Sequence, residues 1–181
     1  MTHGALPLSG PLHIDCIDLP GGGRIGMTHC PGRCKPDARG RSWQRELKSD
    51  VDTIRRAGFE SVLSLLPSDE LAAYGVPDLG GHLQQAGLAW HHFPIVDFGV
   101  PDLASQRIWS ALQASLTDEL RAGRSLLVHC AAGLGRTGTM VALLMRARGL
   151  DSQAAIATVR AARPGTIETL AQERFVADFA I

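Results

Sequence analysis

Apolar and polar positions change their period several times along the chain, and each change predicts an element. Residues 12–17 and 24–28 read as two short strands, the first alternating as one with a single buried face does. They flank Gly21-Gly22-Gly23, a turn signal, so together they predict a hairpin. Over residues 42–57 the spacing lengthens to three and four, with Trp43, Leu47, Val51 and Ile54 on one face, Ser42 as the helix-start residue and Gly58 as the stop. Three short apolar runs follow, at 61–66, 90–96 and 125–130, each bounded by Gly, Pro or polar breakers. Helical patterns separate them: 69–74 and 78–86 in the first gap, 105–122 in the second. After the third run, residues 136–148, 151–162 and 170–179 are all helical in spacing and composition. Strands alternating with helices predict an α/β fold, a central mixed, largely parallel sheet flanked by helices.

Composition narrows this further. With 181 residues, 45% of them apolar, the chain suits one compact domain and is too short for a second full one. A domain of this size buries about 70% of the surface its unfolded chain exposes, so stability requires neither disulfides nor a structural metal. Residues 1–10, rich in Pro and Gly, are expected to fray, leaving 11–181 as the folded unit. Eighteen basic and eighteen acidic residues cancel, which removes any general attraction to nucleic acid or an anionic membrane; an anion site must be local. Four cysteines in a chain this long do not make a disulfide scaffold, and no signal peptide opens it, so a reducing cytoplasm is the expected location. The longest apolar stretch near a helix, 140–145, falls far short of the roughly 20 residues that cross a bilayer, which predicts a soluble protein. A monomer is expected.

The chemistry concentrates where the third apolar run ends. His129-Cys130 enters a loop of Ala131, Ala132, Gly133, Leu134 and Gly135 before Arg136-Thr137-Gly138 opens a helix. Such a loop can turn its backbone N–H groups inward while the helix points its positive end at the same spot, and Gly133 and Gly135 permit the conformations this demands. That arrangement is a phosphate cradle. A thiol in the same field ionises readily, because a thiolate at a helix N-terminus beside Arg can fall from a pKa of about 8.5 to roughly 3.5–7.5. Arg136 offers a planar fork able to hold two phosphoryl oxygens, which Lys would meet only as a point charge. The bare Cys-to-Arg spacing is a weak signal among sixteen Arg, and Cys16, Cys30 and Cys34 lack it. His before the Cys, the two loop glycines, a hydroxyl after the Arg, and the strand-loop-helix setting together make the signal strong.

The string HCAAGLGRTG resembles the signature loop of the cysteine-dependent protein tyrosine phosphatase superfamily: His-Cys, five residues, Arg, then Ser or Thr. The region from Cys30, the run from Glu70 and the stretch from His91 are similar to the dual-specificity branch, in particular to the kinase-associated phosphatase (cyclin-dependent kinase inhibitor 3) family. The resemblance implies the mixed sheet read above, no metal, no cofactor, and a phosphorylated protein as substrate. It makes Cys130 the nucleophile and Arg136, with loop residues 131–135, the phosphate-binding group. It also lets Thr137 hydrogen-bond the thiolate, although helix capping is an equal reading of that residue.

Ester cleavage further needs a proton for the leaving oxygen, and a carboxylic acid on a hinged loop can supply it. Asp97 follows the second apolar run and precedes Phe98-Gly99-Val100-Pro101, in the Pro-Ile-x-Asp context that the resemblance associates with the acid. Asp102 is its competitor, read otherwise as the cap of the helix beginning near Ser105. His129 is expected to orient the loop and to transfer no proton. Near the C-terminus, Glu168 stands where the resemblance implies a water-positioning Gln, while Gln172 is intact. Glu168 reads equally as a helix-start residue, or as a negative charge brought near the phosphate. Cys30 and Cys34, with His29 and Cys16, are read as ordinary thiols rather than a zinc set, since a second matched pair is missing. One of them near the loop would be able to trap oxidised Cys130.

Two other classes compete with a phosphatase. A non-catalytic phospho-ligand binding module of the same fold would need neither thiol nor proton donor. A sulfur-transfer or arsenate-reducing enzyme predicts other cysteine positions. The loop carries no Lys to meet extra phosphates, which argues against inositol polyphosphates and highly charged lipids.

Overall fold

The computed structural model describes residues 10–35 and 43–181. A five-stranded sheet runs in the order β1-β2-β5-β3-β4. The strands are β1 (Asp15–Asp18), β2 (Arg24–Thr28), β3 (Ser61–Ser64), β4 (Ala89–His92) and β5 (Leu126–His129). Only the β1–β2 pair is antiparallel; β2–β5, β5–β3 and β3–β4 are parallel. The sheet is therefore mixed and largely parallel, as the alternating pattern predicts.

Helices cover both faces. On one lie α1 (Leu47–Arg56), α2 (Ser68–Ala73) and α3 (Leu79–Gln85); on the other lie α4 (Leu103–Arg121), α5 (Gly135–Ala147), α6 (Ser152–Ala162) and α7 (Leu170–Asp178). The period of two in β5 divides its side chains between them: Leu127 joins Val62, Ile54 and Leu79, while Leu126 and Val128 join Met140, Leu144 and Trp109. Gly26 has no side chain because a Cβ there would strike the Phe59 ring. Helix α5 is buried continuously from Gly135 to Met145, which explains why its apolar residues run right round it.

Several boundaries differ from the sequence reading: β1 starts at Asp15 rather than at residue 12, β3 ends at Ser64 rather than at residue 66, and α4 starts at Leu103 rather than near Ser105. Helix α1 begins at Leu47, capped by the Glu46 carboxylate, which accepts from Lys48 N and Ser49 N at 2.9 and 2.6 Å. Ser42, the expected start, lies outside the described residues, as do residues 1–9 of the segment expected to fray. Trp43 is buried but not helical; it meets the His29 ring edge-on at 5.0 Å, so tertiary packing rather than helical periodicity fixes it. Strand β4 ends at His92, although Phe93 N and Ile95 N still bond Ser64 O and Leu65 O, because Pro94 between them has no N–H to continue the ladder. Among the described residues no helix is long and apolar enough to cross a membrane.

Candidate active site

Cys130 leaves β5 at the C-terminal edge of the parallel strands, between β2 and β3, where open α/β sheets place their ligands. Every carbonyl of the loop that follows is tied outward. Cys130 O accepts from His129 Nδ1 at 3.4 Å. Ala131 O accepts from Cys30 N at 3.2 Å and Arg33 Nη1 at 3.4 Å. Arg163 donates to Ala132 O at 3.0 Å and Gly133 O at 2.7 Å, and Leu134 O takes Gly138 N at 2.8 Å. A planar trans peptide sends its N–H the opposite way from its C=O, so the N–H groups of residues 131–135 turn inward. Gly133 N reaches Cys130 Sγ at 3.3 Å.

Gly133 makes this curvature possible, with φ at 72° and its α-carbon pressed on the β2 end, where a Cβ would overlap the Thr28 carbonyl. Gly133→Ala is expected to cost at least about 2 kcal/mol, lowering the Tm by about 5 °C or more. Thermal denaturation checks this, and an unchanged Tm would contradict the close approach.

Arg136 lies in the first turn of α5, its side chain only 1% exposed. Glu70 on α2 grips it from behind, with Nη1 at 2.9 and 3.0 Å and Nη2 at 3.0 Å from the carboxylate oxygens. Nη1 also donates to Ile95 O at 2.9 Å. Burial lowers the guanidinium's affinity for its proton, but the Glu70 hydrogen bonds and the charges of Cys130, Glu70 and Asp97 outweigh it and raise its pKa. Asp97 stands 2.9 Å from Nη2, 56% exposed, on a turn where Phe98 is held at φ 54°. Asp102 instead caps α4, accepting from Ser105 N at 2.8 Å, and those hydrogen bonds hold its carboxyl below the usual range. The structure thus separates the two acid candidates, and only Asp97 meets Arg136.

Behind the loop, Trp90 Nε1 donates to Ser64 Oγ at 2.8 Å, and Ser64 Oγ is 2.6 Å from His129 Nε2. With Ser64 donating, His129 is a neutral ring that gives its Nδ1 proton to Cys130 O. Burial keeps it so, pushing its pKa down to about 3. Thr137 is buried and its Oγ1 has no hydrogen-bond partner among the described residues; Leu134, not Thr137, is the N-cap of α5. Cys30 lies buried beside the loop, its thiol pKa raised by burial, while Cys16 and Cys34 are exposed. Among the described residues no group of three or more His, Cys, Asp or Glu is placed to hold a metal. The Gln172 amide oxygen accepts from Glu168 N and Thr169 N at 2.9 and 3.2 Å, and its Nε2 reaches Gly99 O at 3.4 Å. Glu168, an exposed residue, reaches across to the loop: Gly135 N donates to its Oε2 at 2.8 Å.

Three residues of this site carry no signal in the local sequence. Glu70 belongs to the motif-like run from Glu70, yet nothing near it points to an arginine 66 positions away. Arg33 lies over the Tyr74 and Trp43 rings at 3.8 and 4.8 Å, and Arg163 comes from the loop after α6. The Pro following Arg163 was the nearest available cue.

A largely parallel five-stranded sheet with a cysteine-arginine loop at its carboxyl edge defines a protein tyrosine phosphatase-like fold. The chain belongs to the cyclin-dependent kinase inhibitor 3 family, whose model matches residues 9–156. It is 31% identical to the human cyclin-dependent kinase inhibitor 3 over 173 residues, 93% of this chain and 79% of that protein. The crystal structure of kinase associated phosphatase with its catalytic-site cysteine replaced by serine matches with a TM-score of 0.81 and 28% identity, covering 94% of this chain and 95% of that one. A bovine protein tyrosine phosphatase domain-containing protein 1 is 32% identical over 138 residues, 71% of this chain and 17% of its own length.

Proposed function

We propose that this chain is a phosphoprotein phosphatase of dual specificity, hydrolysing phosphotyrosine and also phosphoserine and phosphothreonine through a cysteinyl-phosphate. The observation that carries the reading is the anchoring of the five carbonyls of residues 130–134, which leaves the N–H groups of residues 131–135, Arg136 and Cys130 Sγ free to face one position. Cys130 attacks phosphorus as the thiolate: an S–P bond forms, the P–O bond to the leaving group breaks, and Asp97, having left Arg136 and taken a proton from solvent as the substrate binds, gives that proton to the departing oxygen. Arg136 exchanges the Asp97 carboxylate on Nη2 for a phosphoryl oxygen, while Glu70 and Ile95 O keep the guanidinium in plane. Water then attacks phosphorus, Asp97 takes its proton, and the S–P bond breaks to release phosphate and thiolate. Thr137 Oγ–H, without another partner among the described residues, donates to the departing sulfur.

The substrate is a phosphorylated protein, and the name of the kinase associated phosphatase makes a phosphorylated kinase the first class to try. The test is hydrolysis of aryl phosphates by the whole chain in chelator. Asp97→Asn is expected to slow phenyl phosphate by about a hundredfold and p-nitrophenyl phosphate far less, because only the poorer leaving group needs the proton. Asp102→Asn should leave both rates within about twofold. Equal losses on the two esters in Asp97→Asn would remove Asp97 from the acid role. Absence of turnover in the wild-type chain would favour the phospho-ligand binding module.

A further inference from the structure

One carboxylate in the cradle is not used by the chemistry above. Glu168 accepts the Gly135 N–H at 2.8 Å, and Gly135 is one of the loop donors that an equatorial phosphoryl oxygen requires. The turn that delivers it is fixed on both sides. Ile167, a β-branched residue, is held at φ 58° with its side chain in the core, and Arg160 Nη2 fastens its carbonyl at 2.9 Å. On the other side, Glu168 N is bonded to Gln172 Oε1 at 2.9 Å, and Gln172 is fully buried. Exchange at Gly135 therefore has to come from rotation of the Glu168 side chain, not from movement of its backbone.

We propose that Glu168 is a resident anion of the cradle, occupying the Gly135 N–H until an incoming phosphoryl group displaces it, so that its charge lowers the protein's oxyanion affinity. Helix α5 explains why a carboxylate rests there: its N-cap, Leu134, has no capping side chain, so the first helical N–H groups attract an acceptor from elsewhere in the fold. The same field attracts phosphate. Two anions in one small site repel, and a phosphoryl group must outcompete the carboxylate as well as shed its water. Asp97 on Arg136 Nη2 adds a second competitor, but one the proton transfer itself requires. Glu168 has no such role, and its charge weakens binding.

The inference builds on the phosphatase reading only in taking the loop as an oxyanion site, so its test uses binding without turnover. In a Cys130→Ser background, tungstate is titrated calorimetrically into the otherwise wild-type chain and into Glu168→Gln and Glu168→Ala. Gln keeps an acceptor for Gly135 and loses the charge; Ala loses both. Both are expected to bind tungstate about tenfold more tightly. An unchanged or weaker affinity in Glu168→Gln would overturn the proposal and leave Glu168 a remote helix cap, seen only as a lower Tm. Tightening in Ala but not in Gln would overturn it too, because bulk rather than charge would be the cause. Whether the wild-type chain hydrolyses aryl phosphates is a separate measurement, so a failed phosphatase reading cannot be mistaken for a failed anion proposal.

Discussion

Cys130→Ser is expected to abolish aryl phosphate turnover, lowering kcat by about four orders of magnitude or more, while the protein folds and binds oxyanions as before. The loss is large because a serine hydroxyl in the same place holds its proton far more tightly, and the neighbouring His129 is committed to Ser64 and to Cys130 O. Folding survives because oxygen for sulfur is a small change at a position 3% exposed, and because Gly133 N can donate to either atom. Tungstate affinity is retained, since the substitution leaves Arg136 and the N–H groups in place. Rates measured in chelator with the wild type and the variant decide the matter, with calorimetric tungstate binding and thermal denaturation as controls. Turnover within a hundredfold of wild type would mean that water is activated directly and that the sulfur is a bystander. Loss of tungstate binding together with turnover would instead mean that the cradle had collapsed.

The part of this site that the sequence makes legible is the part built from one continuous segment. Residues 125–138 carry the strand, the glycines, the cysteine and the arginine in order, and backbone stereochemistry turns that order directly into a loop of this shape. The strands were readable because burial on two faces forces short apolar runs, as in the Leu126–His129 strand. What was not readable depends on residues that meet only after folding. Trp43 matched a helical spacing with Leu47, but its indole is drawn to His29 and Arg33, and the helix starts four residues later. Thr137 reads equally as a cap or as a donor to the sulfur; at the third position of a buried helix it is not the cap, and its hydroxyl has no hydrogen-bond partner among the described residues. Glu168 was legible as a departure, a charge where an amide is usual. Its direction was not, because that depends on the Ile167 turn and on the uncapped end of α5.

Glu70 shows the same limit and bears on the second large effect. Arg136→Lys is expected to lower kcat/KM by about a thousandfold, although it conserves the charge. In the resting site the guanidinium makes four bonds on its protein side, three to Glu70 and one to Ile95 O, and a fifth from Nη2 to Asp97 that a phosphoryl oxygen would replace. A lysine ammonium has three donors on a single nitrogen. Held by Glu70 it would sit too far back to reach phosphorus oxygens, and drawn forward it would leave Glu70 and the Ile95 carbonyl without their partner. Either choice forfeits donors to a site where each is worth about a hundredfold or more in rate. Stability should fall as well, by about 1–3 kcal/mol, because the side chain is 1% exposed and its partners are left incompletely satisfied. Steady-state kinetics on p-nitrophenyl phosphate and denaturant titration measure the two effects separately. Glu70→Gln should reproduce part of the kinetic loss without touching the cradle, since a neutral amide holds the fork less firmly than a carboxylate. If Arg136→Lys kept kcat/KM within tenfold of wild type, the planar fork would have no special part in holding the phosphoryl group, and the Glu70–Arg136–Asp97 line would be an ordinary structural ion-pair network.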